Sequence, residues 1–330
     1  MLDLSEEIAL VMDFHADWTA LLRESLDSTG YSTMPEEDGS RICRTYFNVA
    51  KRRLAQRPRR ILLAREFACP PDHLAGLHLL EDKVRNGEDL TPHLSRKILK
   101  LAYNDAILND WGIYHFHLGL TYDRRGLIQG TPYILLARVT NDEFYMIEVV
   151  EHELWHHQRY VEILHSNWPR SIELWKCGGI LGLSDPPNDE EINTLRRGRV
   201  NYMLQTEDGT IYFSIGGGYS SSGMSIEAAR RCLAARKLLR KMENAVRKHS
   251  EKILRQELLD GRTTCSSFHF RLVLGNDGAY AVDEQAMMAF QLKERRHCTL
   301  LYGHPSLPLR LCDDAWTQPL SDGVEESPGL

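Results

Sequence analysis

The apolar positions of this chain change period about a third of the way along it. Before residue 112 they recur at three and four, as on one face of a helix. Ser5 followed by Glu6 and Glu7 predicts a helix start, with Ile8, Val11, Met12, Trp18, Leu21 and Leu22 at helical spacing. Residues 27–40, with Gly30, Pro35 and Gly39, predict a loop. A second helix is expected over Arg41–Gln56, ended by Pro58. Ile61-Leu62-Leu63-Ala64 fits either a buried strand or a helical turn. Pro70-Pro71-Asp72 opens a helix closed by Gly87, and Thr91-Pro92 opens another carrying Leu94, Ile98, Leu99, Leu101, Ala102 and Ile107.

From Ile113 the pattern alternates. Tyr133–Thr140 and Phe144–Val150 are β-rich and separated by Asn141-Asp142-Glu143, a hairpin signal. A helix is expected from there to about Ser166, because Pro169 prevents its continuation. Pro186-Pro187 marks residues 184–189 as a linker. Beyond it lie a short helix over Glu190–Arg196, a hairpin over residues 200–215 and the glycine-serine loop Gly216–Gly223. The loop reads as mobile and leads into a long helix, Ser225–Leu259. A last hairpin over 268–283 and a helical piece over Glu284–Glu294 follow. Helices and hairpins in blocks predict an α+β class: a helical N-terminal third, a small antiparallel sheet with a hairpin, then a second part of hairpin and long helix. The expected organisation is 1–183 as the domain with the site, 190–312 as the hairpin and long-helix region, and 313–330 as a disordered tail.

Composition changes this picture little. A hydrophobic fraction of 42% and a charged fraction of 26% are ordinary for a globular chain of 330 residues. No apolar run is long enough to span a membrane, and the acidic N-terminus does not fit a signal peptide. Seven scattered cysteines with no Cys-x-x-Cys pair predict reduced thiols and a cytoplasmic location. A net charge of −6 gives no global signature of a nucleic-acid binder. The segment Arg41–Arg65 is nonetheless strongly basic, and is the candidate stripe for RNA phosphates.

Candidate chemistry concentrates in residues 109–169, which hold six of the histidines. His115 and His117 lie two apart on a predicted strand and so share a face. Two imidazoles can serve as general acid and general base in phosphodiester cleavage without a metal. Such a site also needs a cation for the developing phosphorane charge, and Arg138 is the candidate, with Arg124 and Arg125 also near in sequence. The alternative is His152-Glu153-Leu154-Trp155-His156, an H-E-x-x-H match. On a helix His152 and His156 would chelate zinc, Glu162 would be a third ligand and Glu153 the base. A third reading is a non-enzymatic subunit of a defence or toxin–antitoxin complex, with the Ser225–Leu259 helix as the surface for a protein partner.

The string Asp110-Trp111-Gly112-Ile113-Tyr114-His115-Phe116-His117-Leu118-Gly119, with His152, Trp155 and Asn167-Trp168-Pro169 further on, resembles a family of uncharacterised bacterial proteins. Their pattern reads D-W-G-I-H-H-x-H-L-G, then a hairpin, a histidine, a tryptophan and N-W-P. Tyr114 departs from it, since a histidine is usual there. The likeness covers about residues 40–220. It implies that the histidine of position 152 belongs with His115 and His117, whereas Glu153 and His156 stand at positions the pattern leaves free. The layout of helices followed by a small histidine-bearing sheet is also loosely similar to RelE/barnase-like toxin nucleases. The leading expectation is therefore a hydrolase of nucleic-acid phosphodiesters, of RNase type, using His115, His117, His152 and Arg138 and no cofactor.

Overall fold

His115 and His117 sit on an edge strand of a four-stranded sheet, and the chain order explains how that sheet is assembled. The computed structural model describes residues 8–34, 37–152, 154–260 and 267–312. The first elements are β1 (Ala9–Val11), α1 (Phe14–Ser28), α2 (Gly39–Arg52), β2 (Arg60–Leu63) and α3 (Leu74–Asn86). There follow α4 (Ala106–Trp111), β3 (Ile113–His117), β4 (Tyr133–Val139), β5 (Glu143–Glu151), α5 (Arg159–Asn167), α6 (Pro169–Ile172) and α7 (Asp189–Arg197). The last are β6 (Leu204–Gln205), β7 (Ile211–Tyr212), α8 (Ile226–Leu259), β8 (Ser267–His269), β9 (Arg271–Leu274), β10 (Gly278–Asp283) and β11 (Met288–Glu294). The class is α+β, as the blocks of period predict.

The chain forms two compact units. The larger comprises residues 22–234 and 304–308, and residues 184–189 run within it. Its sheet has the order β2-β5-β4-β3, with β2 parallel to β5 and the other pairs antiparallel. Alternation along β3 and β4 divides the apolar residues cleanly. Ile113, Ile134 and Leu136 join Tyr160, Val161 and Leu164 of α5 on one face. Phe116, Leu135 and Ala137 join Leu77, Leu80 and Val84 of α3 on the other. The smaller unit takes in residues 8–21, 235–303 and 309–312 among those described. It contains the sheet β11-β10-β9 and the parallel pair of β1 with β8. Among the described residues no helix is long and apolar enough to cross a membrane.

Several expectations need correction. Residues 9–11 are a strand, not the first turns of a helix, because they pair with residues 267–269, a contact no local period encodes. The helix expected after Thr91-Pro92 is three short pieces: two single turns, Thr91–His93 and Arg96–Leu99, and then α4. Leu94 is extended between the two turns, and the buried Arg52 guanidinium takes up the carbonyls of Lys97, Lys100 and Leu101 that a helix would have used. Residues 288–294 are strand β11, because pairing with β10 prevails over weak helical propensity. The Gly216–Gly223 loop is not loose at its start. Gly216 N–H donates to Asp110 O and Gly218 N–H to Asn109 O, which fastens it to α4. Cys43 and Cys232, expected as free thiols, form a disulfide with their Cα atoms 5.8 Å apart. A pairing across 189 residues leaves no trace in cysteine spacing, and it removes the argument for a reducing compartment. The expected tail, residues 313–330, lies outside the described residues.

Candidate functional site

Three imidazoles meet at the end of the β3–β4–β5 meander. His115 and His117 reach one face through strand alternation, and β5 delivers His152 immediately after its last residue. His152 N–H donates to Pro132 O (2.8 Å), which carries the ladder one residue past the strand. The ring centres of His115 and His117 are 6.2 Å apart, those of His115 and His152 6.4 Å, and those of His117 and His152 5.6 Å with the planes nearly parallel. Trp155 closes the group, 5.4 Å from His115 and 4.9 Å from His152. It is thus part of the cluster as well as of the core beneath it.

His115 is 4% exposed and His117 8%, and Nδ1 of each is buried without a hydrogen-bond partner. A buried polar atom left this way costs about 1–3 kcal/mol. Burial pushes the pKa of His117 down to about 4, and His115 and His152 beside it act in the same sense. Burial also lowers His115, against the pull of Asp105, whose Oδ2 lies 3.9 Å from Nδ1. Both rings are therefore neutral near pH 7. A void of about 10 Å³ beside His115 and Asp105 has the size of one water molecule.

The support beneath the cluster comes from residues that sequence reasoning passed over. Asp105 caps α4 by accepting from Leu108 N–H, and Gly112 ends that helix in the left-handed region (φ 67°), where β3 begins. His93, fully buried, places Nδ1 2.9 Å from the carbonyl oxygen of His117. Arg196 Nε donates to Asp110 Oδ2 (3.0 Å), and Nη1 donates to the carbonyl of Trp155 (2.9 Å). The guanidinium lies over the Trp111 ring, 4.0 Å from its centre. Arg196 was legible only as the basic last turn of a short helix, with no signal of a partner 86 residues away.

Arg138 is not with the histidines. It pairs in register with Ile113, whereas His115 pairs with Leu136 and His117 with Ile134, so it stands further along the sheet. Its guanidinium lies over Trp175 instead, 4.8 Å from the ring centre. The cations that act on the cluster are Arg96, which lowers His117, and Lys97, which lowers His115. Arg96 is largely exposed and pairs with Asp123 at 3.4 Å.

The helix expected over His152–His156 is absent. The described residues 152 and 154–158 are not helical and α5 starts at Arg159, because the Trp155 carbonyl is held by Arg196 and the Gln158 N–H by Asp189. His156 stacks on His157 (4.7 Å) and so does not share a helical face with His152. Glu162 accepts from Gln158 Nε2 and from the Glu207 N–H, and Glu153 lies outside the described residues. Among the described residues no group of three His, Cys, Asp or Glu side chains is arranged to hold a metal ion.

The Arg41–Arg65 segment is not a continuous surface stripe. Arg52 and Arg59 are buried and saturated by backbone carbonyls, Arg41 pairs with Glu37, Arg57 with Asp142 and Arg60 with Glu143. Along the long helix α8, Ala228, Cys232, Ala235, Leu239, Met242 and Val246 are buried. Comparison of the chain with family models, with curated proteins and with solved structures found no match.

Proposed function

We propose that the chain is a hydrolase of nucleic-acid phosphodiesters, acting on RNA through its clustered imidazoles. The observation that carries this reading is the convergence of His115, His117 and His152, with Nδ1 of His115 and of His117 left unpaired. Cleavage that uses the 2′-hydroxyl as nucleophile requires a base, an acid and a cation near the phosphate. His117, neutral because it is buried, suits the base. The half-buried His152, whose ring lies 5.6 Å from that of His117 and is more open to solvent than His115, takes the part of the acid in place of His115. Arg96 replaces Arg138 as the cation for the phosphorane, since it is the arginine whose charge reaches His117.

The test is incubation of the purified protein with total RNA in EDTA. Cleavage by the wild type is expected, with His117→Ala and His152→Ala each slower by about 10²–10⁴-fold. No cleavage, or cleavage unaffected by both substitutions, overturns the reading. Cleavage abolished by EDTA and restored by zinc overturns its metal-free form.

A further inference from the structure

Arg138 is 8% exposed, and its Nε is buried without a hydrogen-bond partner. No hydrogen bond or ion pair engages its guanidinium among the described residues; what it has is the Trp175 face. A buried cation without an anion is costly, and proteins retain one where something else supplies the negative charge. Arg138 lines a cavity of about 810 Å³ within the larger unit, further along the sheet from His115, His117 and His152, none of which lines it.

The lining of that cavity is strongly unbalanced. Lys51, Arg53, Arg59, Arg138, Arg230 and Arg231 face it, against the single carboxylate of Glu227. Glu227 is shared, by Arg231 at 2.9 Å and Lys51 at 3.6 Å. Arg59 is held by the carbonyls of Ala55, Arg57 and Thr140, and Arg53 by the Tyr31 hydroxyl, so neither charge is neutralised. His304 on the same wall has its pKa pushed down to about 4, first by burial and then by Arg231 and Arg53. Three of these cations come from the basic segment of the sequence, which thus serves a cavity wall and not an exposed stripe. Trp175, Phe213 and Tyr114 supply an apolar side.

We propose that this cavity binds a multiply charged phosphate ester of nucleotide size, with Arg138 as the buried anchor for its phosphates. The volume lies within the range of small-molecule sites. Arginine forks match phosphate oxygens two at a time, and a guanidinium already desolvated gains most from such a partner.

The probes are ATP, inorganic pyrophosphate and adenosine, titrated calorimetrically into the full chain in phosphate-free buffer. ATP and pyrophosphate are expected to bind, and adenosine to bind at least about 100-fold more weakly than ATP. Arg138→Met is expected to weaken ATP at least about tenfold while the variant melts no lower than wild type, since an uncompensated charge has been removed. Arg231→Gln, closer to the surface, is expected to weaken ATP in the same direction and serves should Arg138→Met fail to fold. Failure of both ATP and pyrophosphate to bind at millimolar concentration, or unchanged ATP binding in both variants, overturns the proposal. So does Arg138-dependent binding of a 2′-O-methyl oligoribonucleotide in the absence of ATP and pyrophosphate binding, which would make the cavity part of a nucleic-acid groove. His117→Ala is expected to bind ATP as the wild type does, so this result is independent of RNA cleavage.

Discussion

Arg196 and Asp110, 86 positions apart, form a buried ion pair at 3.0 Å, 6% and 1% exposed at their side chains. Tyr202 donates its hydroxyl to the same carboxylate oxygen, and Trp111 lies under the guanidinium. Burial pushes Asp110 above the usual carboxylate range, although Arg196 and Tyr202 pull it down. The pair is better understood as a positioning device than as a source of stability, because desolvation offsets most of the attraction. What it positions is the carbonyl of Trp155, and with it the turn that brings His152 to His115 and His117.

Arg196→Met leaves the Asp110 carboxylate buried without its cation. A loss of about 3–5 kcal/mol in unfolding free energy is expected, measured by urea denaturation. Joining it with Asp110→Asn should recover part of that loss, because the stranded charge is gone. A single-variant loss below about 1 kcal/mol would show that the pair is not held as described.

Gly216 tests whether the glycine loop is packed. A Cβ there would stand 2.2 Å from Leu108 O and 2.5 Å from Asn109 O, both backbone atoms that cannot step aside. Gly216→Ala is expected to cost about 1–3 kcal/mol by forcing the loop off α4. Gly217→Ala supplies a contrast: φ of 92° penalises it through backbone strain, while nothing lies within 4 Å of its Cβ. Hydrogen exchange should therefore quicken at the Gly216 and Gly218 amides in the first variant and much less in the second.

How much of this was legible depends on the range of the interaction. Strand alternation is enough to put His115 and His117 on one face, because the side-chain period of two is set by the backbone itself. The hairpin from Tyr133 to Glu151 follows from two β-rich runs and a polar turn. The convergence of His152 with the other two depends on strand register, which no local pattern fixes. The helix over His152–His156 failed for the opposite reason: the spacing was right, and the donor from Arg196 and the acceptor from Asp189 prevailed over it. Arg138 was singled out as the clamp for the phosphorane beside the histidines, but its register opposite Ile113 carries it to the cavity and away from them.

The disulfide gives a direct chemical prediction. Thiol titration of the unfolded, unreduced chain should leave Cys43 and Cys232 unreactive, and a peptide map should recover them linked. Because the bond closes a loop of 189 residues, removing it with Cys43→Ser and Cys232→Ser should cost about 2–5 kcal/mol. Recovery of both cysteines as free thiols from protein purified without reductant would sink the assignment.

The depressed imidazoles set the pH dependence. His117 titrates near its ordinary value of about 6.5 in the unfolded chain, and at about 4 when folded. Between these values the unfolded chain binds a proton that the folded chain does not, so stability rises with pH across the window. It is complete above about pH 6.5 and is lost as pH falls towards about 4, by about 3 kcal/mol for this ring alone. His93, His115 and His304 are lowered as well and add to the fall in the same direction. Urea denaturation at about pH 7 and about pH 4.5 should show the wild type losing several kcal/mol, and His117→Gln, which cannot take up the proton, losing measurably less. Equal losses in the two proteins would mean that His117 is not held neutral. The RNA-cleavage rate adds a second measure: the acidic limb of kcat/KM should lie well below pH 6.5, and a limb at the ordinary histidine value would reassign the base to another residue.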